Sequence, residues 1–108
     1  MQNHFNSFSG MLEIVVPGDL LSTNADRFRT DAVSALEAQS TRKMEWRGVK
    51  VDLTGARMVD SAGLNAIVSL IRKAKSLGKR ASIHVKDAHV HRICLFTRLD
   101  IQAEIVQV

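Results

Sequence analysis

The sequence holds one cysteine, one proline and one tryptophan among 108 residues, and aromatic residues make up only 5% of it. A lone cysteine cannot close an internal disulfide. Cys94, between Ile93 and Leu95, reads as a buried reduced thiol rather than a nucleophile, which fits a reducing cytosol. No window is long and apolar enough to cross a bilayer, and the opening MQNHFNSFSG has neither the basic start nor the apolar run of a secretion signal. A soluble cytoplasmic protein with no membrane insertion is therefore expected. Internal repeats, low-complexity segments and linkers are also missing. The residues present, 45% hydrophobic and 24% charged, suffice for one compact domain over 1–108 and leave no room for a second.

The chemistry-bearing patterns are equally sparse. His4, His84, His89 and His91 invite a metal reading, but His91 and Cys94, one helical turn apart, supply two of the four ligands that structural zinc needs. The stretch GARMVDSAG has the wrong glycine spacing for a phosphate loop and no Lys-Ser/Thr, and Ser61 does not stand in a Gly-x-Ser-x-Gly elbow. Neither cofactor, metal nor enzymatic activity is expected. A net charge of +4 permits an acidic partner, nucleic acid and anionic lipid included, although the basic residues are spread along the sequence. The cluster Arg72, Lys73, Lys75, Lys79 and Arg80 is explained by the negative end of a helix dipole. With no aromatic residue interleaved to stack on bases, direct nucleic-acid binding is not expected.

Strand and helix patterns alternate. Met11 to Val16 is an apolar run closed by Pro17-Gly18, which suits the centre of a type II turn. Ala25, Phe28, Ala32 and Leu36 then recur at helical spacing, with Thr23 and Asp26 resembling a capping box. The segment AQSTRKMEWRG reads as a loop, in which Trp46 either anchors a partner or folds back onto the domain edge. Val49 to Leu53 alternates with period two, as a half-buried strand does. Leu64, Ile67, Val68, Ile71, Ala74 and Leu77 mark one face of a helix that stops at Gly78. ASIHV is a further strand, Val90 to Phe96 a short helix, and AEIVQV a closing strand, while residues 1–10 are an N-terminal extension or an edge strand. The expected core is Leu12, Val15, Phe28, Val49, Val51, Leu53, Ile67, Ile71, Ile83, Val85 and Ile93. The pattern predicts an α/β domain, a mixed β-sheet of about four to five strands covered by amphipathic helices.

The junction VDSAGL joins strand to helix. Asp60 or Ser61 can cap the helix, and Ala62 and Gly63 allow close backbone packing. A hydroxyl at that position is also a place where a phosphate would meet free N–H groups and the positive end of the helix dipole.

The stretch VDLTGARMVDSAGLNAIVSLIRKAKSLGKRASIHV resembles the STAS family, domains shared by anti-sigma factor antagonists and the cytoplasmic tails of sulphate transporters. Asp52, Leu53, Thr54, Val59, Asp60, Ser61, Gly63 and Leu64 fall in order on its pattern. VVPGDLLSTNADRFRTDAVSAL and HRICLFTRLDI match more weakly on either side. The resemblance implies a STAS-like fold and an anti-sigma factor antagonist that acts by partner switching. Its partner would be an anti-sigma factor and serine protein kinase, with a phosphatase as a further candidate, and Ser61 would be the phosphoacceptor. The contact surface would comprise Val59, Asp60, Ser61, Ala62, Gly63, Leu64 and Asn65 with the turn of Gly18, Asp19, Leu21, Ser22 and Thr23. Leu21 stands where phosphorylated members often carry an acid, and the family's usual C-terminal helix is not seen after AEIVQV. The alternative role is a non-phosphorylated STAS scaffold subunit, for example of a lipid-trafficking ABC transporter.

Overall fold

The computed structural model describes residues 1–108. Along the chain run β1 (Gln2–Asn6), β2 (Met11–Val15), α1 (Ala25–Ser40), β3 (Gly48–Leu53), α2 (Ser61–Ser76), β4 (Arg80–Val85), α3 (Ala88–Phe96), a 3₁₀ turn (Leu99–Ile101) and β5 (Glu104–Gln107). The strands lie side by side in sequence order; β1 is antiparallel to β2, and β2 to β5 are parallel. This is the mixed sheet the sequence predicts.

Crossovers between parallel strands are right-handed, so a sheet that always advances in one direction keeps its helices on one face. Leu12, Ile14, Val49, Val51, Leu53, Ile83 and Val85 point to that face and are buried with Phe28 and Leu36 of α1, Ile67, Leu70 and Ile71 of α2, and Val90 and Cys94 of α3. The intervening Glu13, Lys50, Asp52, Ser82 and His84 share the other face and stay half-exposed. That is why VKVDL alternates, instead of reading as the continuous apolar run of a parallel strand buried on both sides.

The one-sided arrangement corrects two expected core positions. Val15 lies on the open face, because Ile14 takes the inward place and neighbours in a strand point opposite ways. Ile93 is half-exposed, because α3 turns Val90 and Cys94, four apart, toward the sheet. Burial pushes the Cys94 thiol up to about 11, leaving it inert near neutral pH. Trp46 does fold back: it is 8% exposed. Lys79 donates to its carbonyl oxygen at 3.0 Å and sits 4.7 Å from the ring centre.

Three local readings also change. Pro17-Gly18 makes no type II turn, for Gly18 has no positive φ and the chain runs onward to pair at Leu20. Thr23 and Asp26 form no capping box: α1 is capped at Asn24, whose side-chain oxygen instead accepts from the Leu21 N–H at 2.8 Å. Helix α1 also continues through Ala38, Gln39 and Ser40, which the sequence reading gave to a loop. Gly78 behaves as expected, with φ +73. The Gly78 and Lys79 N–H groups donate to the Lys75 and Ala74 carbonyls and close α2.

Arg98, before the 3₁₀ turn, is left-handed at φ 61 without being glycine. Its ion pair to Asp100 is exposed and long at 3.9 Å, so it offsets little of that strain. Arg98→Gly should raise stability by about 0.5 kcal/mol after the added freedom of the unfolded chain is deducted, or ~2–4 °C in a thermal melt. A lower Tm for this variant would contradict the assigned strain.

Candidate functional site

Where the parallel strands end, the β2–α1 loop and the β3–α2 loop lie against each other beside the start of α2. The β3–α2 loop is shaped at its origin by Asp52, whose carboxylate accepts from the Thr54 N–H at 2.9 Å and the Thr54 hydroxyl at 2.6 Å. Burial pushes the Asp52 pKa up, but the two Thr54 bonds outweigh it and hold the group below its ordinary value. The loop then returns alongside the first one: Leu20 and Val59 form a parallel bridge, the Leu20 N–H donates to the Met58 carbonyl, and the Asp60 N–H donates to the Leu20 carbonyl.

Two carboxylates fasten the loops in opposite directions. Asp19 reaches across to accept from the Arg57 and Met58 N–H groups at 2.9 and 3.1 Å. Asp60 reaches back: one oxygen accepts from the Ser22 N–H at 2.7 Å, and the other caps α2 by accepting from the Gly63 N–H at 2.9 Å. Asn24 adds a bond from its amide to the Asp19 carbonyl, 3.0 Å. The approach is so close that a Cβ on Gly63 would overlap the Leu20 carbonyl.

This geometry assigns the helix cap. Asp60, extended at φ −87 and ψ −176, is the N-cap, and Ser61 is the first helical residue. Ser61 is exposed and its hydroxyl has no partner within the chain. Asp60 and Ser61 thus come together with Asp19, Leu21 and Ser22 at one end of the molecule, with Gly18 and Thr23 beside them in the same loop. Val59 and Gly63 do not line that surface. Val59 is buried because its side chain takes the inward position of the bridge, and Gly63 is covered by the Leu20 backbone. Ala62 and Leu64 are half-buried against the core, while Asn65 edges a groove of about 230 Å³ between α1 and α2 with Asp26, Arg29 and Ser69.

Met58 was missed by the sequence reading. It is 55% exposed, and its backbone lies against the first loop, its carbonyl accepting from the Leu20 N–H and its N–H donating to Asp19. Its only sequence signal is the alternation Met58-Val59-Asp60, in which a buried valine implies an outward methionine.

The N–H groups of Gly63 first and Ser22 second hold the Asp60 carboxyl below its ordinary range. A carboxylate with a lowered folded pKa contributes stability above its unfolded value, near 3.9, and that contribution is lost as the pH falls through the folded value. Thermal melts from neutral pH into acid should therefore show a decline that Asp60→Asn removes in part, Asp52 supplying another share. An unchanged acid decline in Asp60→Asn would show that the clasp is not charge-assisted.

Residues 6–106 match the STAS domain family over nearly the whole chain. The chain belongs to the STAS domain family. A comparison with curated protein sequences finds no match. Among solved structures, a Thermotoga maritima protein assigned as an anti-sigma factor antagonist superposes with a TM-score of 0.82 at 18% identity, over 99% of this chain and 86% of that one. The anti-sigma factor antagonist SpoIIAA, solved in its unphosphorylated form, gives 0.70 at 11% identity, over 99% and 87%. The murine anion transporter Slc26a9 gives 0.74 at 14% identity, over 92% of this chain and 16% of the transporter. At these identities the likeness establishes a shared STAS fold, in antagonists and in a transporter alike.

Proposed function

We propose that this STAS domain is an anti-sigma factor antagonist that works by partner switching. Its unphosphorylated form binds an anti-sigma factor that is also a serine kinase, and phosphorylation of Ser61 by that partner releases it. The observation that carries this reading is the state of Ser61: an exposed hydroxyl at the first position of α2, relieved of capping by Asp60.

The geometry suits a reversible charge switch. Phosphorylation adds about −1.5 to −2 charges at neutral pH, and the helix N-terminus tolerates them, so the fold survives the modification. A partner packed over Ser61 would have to bury that charge next to the Asp60 carboxylate. The penalty is on the order of 3 kcal/mol, or ~100-fold in affinity. Asp60 has a positioning role, because it fixes where α2 starts and hence where the hydroxyl points. A phosphatase acting on Ser61 would reset the cycle, ATP bound by the partner kinase being the phosphoryl donor and ADP the leaving group.

The test is capture from a lysate of the source cells on wild type, Ser61→Ala and Ser61→Asp, with mass spectrometry of what is retained. Retention of an ATP-dependent serine kinase by the first two and its loss from Ser61→Asp is expected. Equal retention of an ABC transporter subunit by all three would replace the switch with a scaffold role.

A further inference from the structure

The fold brings several basic residues, distant in the sequence, to one end of the molecule. The start of every parallel strand lies at the end of the molecule opposite Ser61, and Gly48 of β3 and Arg80 of β4 share one row there with Met11 of β2. The Arg47 N–H donates to the Gly10 carbonyl at 2.6 Å, and the Arg80 N–H donates to the Arg47 carbonyl at 3.0 Å. The β1–β2 hairpin tip, Arg47, Lys79 and Arg80 therefore adjoin, and the α1–β3 loop adds exposed Lys43 and Met44, with Glu45 as the acid among them. At the Ser61 end, by contrast, the acids Asp19, Asp26, Asp60 and Asp87 are balanced by Arg27, Arg29, Arg57 and Lys86.

At this basic end the hairpin presents Phe8 fully exposed. The turn that carries it is ordered: the Asn6 side-chain oxygen accepts from the Phe8 and Ser9 N–H groups at 3.0 and 3.2 Å. The Gly10 N–H donates to the Asn6 carbonyl at 2.8 Å, and Gly10 has φ 75. A single exposed apolar residue is ordinary. Here, however, a built turn holds a phenylalanine away from the core, Met44 is also 44% exposed, and the surroundings are cationic.

We infer that this end is a peripheral docking surface for an anionic phospholipid membrane, with Phe8 and Met44 entering the headgroup boundary and the exposed Lys43, Arg47 and Arg80 facing lipid phosphates. Apolar side chains ringed by lysine and arginine match an interface that is apolar below and negatively charged above. Nucleic acid fits less well, since Phe8 alone offers a stacking plane here and Met44 offers none. The contact is peripheral; no helix of the chain is long and apolar enough to cross a membrane. Docking by this end would leave the Ser61 end facing away from the bilayer and free for a protein partner.

Co-sedimentation of the full chain with phosphatidylcholine vesicles, with and without phosphatidylglycerol, tests it. Binding is expected only with phosphatidylglycerol, and it should fall with added salt. Lys43→Glu should weaken it by more than about fivefold, one unit of charge near such a surface being worth roughly that factor. Phe8→Ser should weaken it by about tenfold, as the loss of a buried phenyl ring predicts. Both substitutions are at exposed positions and leave the fold intact, which a thermal melt checks. No binding to either vesicle, or binding that both variants retain in full, would overturn the proposal. So would binding to a single-stranded oligonucleotide, weakened by Lys43→Glu, with no binding to either vesicle, which would assign the surface to nucleic acid.

Discussion

Gly63→Ala is expected to lower the unfolding free energy by about 3 kcal/mol, a large part of the stability of a domain this size. Helix propensity argues the other way, since alanine is better than glycine in a helix by roughly 1 kcal/mol. The close approach decides the sign. A methyl on Gly63 meets the Leu20 carbonyl oxygen, and that oxygen is held in place by the Asp60 N–H and by the Leu20–Val59 bridge, so it cannot rotate away as a flexible side chain would. To make room, the start of α2 must lift from the first loop, which strains the Asp60 bonds to Gly63 and Ser22 as well. Gly18→Ala is the control: a Cβ there meets nothing within 4 Å and its φ is not positive, so its effect should stay within about 0.5 kcal/mol. Urea unfolding midpoints of the two variants measure the contrast. Equal midpoints would mean that the two loops do not pack as closely as described.

The fold was legible where the pattern is local. Six apolar positions at helical spacing identify α2, the glycine behind them stops it, and alternation identifies β3 as half-buried. The readings that failed depend on partners far away in sequence. Pro17-Gly18 favours a turn in isolation, but pairing of Leu20 with Val59 carries the chain straight on. Val15 and Ile14 are equally apolar, and a one-residue choice of phase decides which is buried. Asp60 and Ser61 are both good caps by residue type, and only the extended backbone at Asp60 separates the cap from the free hydroxyl. The clasp is the least legible feature, for Asp19 and Asp60 each bond to N–H groups 38 or more positions away. No spacing rule reaches that far. The family pattern names Asp60 and Ser61, but it does not say that the aspartate's two oxygens are already committed to backbone.

That commitment gives the second large effect. Ser61→Asp is expected to reduce partner affinity by about 100-fold, whereas Ser61→Ala should stay within about threefold of wild type, because Ser61 contributes no cap to be lost. Both variants should melt within ~2 °C of wild type, since the position is exposed and the helix N-terminus tolerates negative charge. A fall in binding unaccompanied by a fall in Tm separates a switch from a folding defect. If Ser61 were the cap instead, Ser61→Ala would be the destabilised variant and Ser61→Asp the tolerated one.

The most direct measurement is phosphate transfer. The purified chain, its captured kinase and ATP should give one phosphate per chain, located on Ser61 by fragmentation mass spectrometry. The modified protein should leave the complex while keeping the circular dichroism of the unmodified one. Phosphate appearing on another residue, or a complex that survives stoichiometric modification of Ser61, would contradict the account.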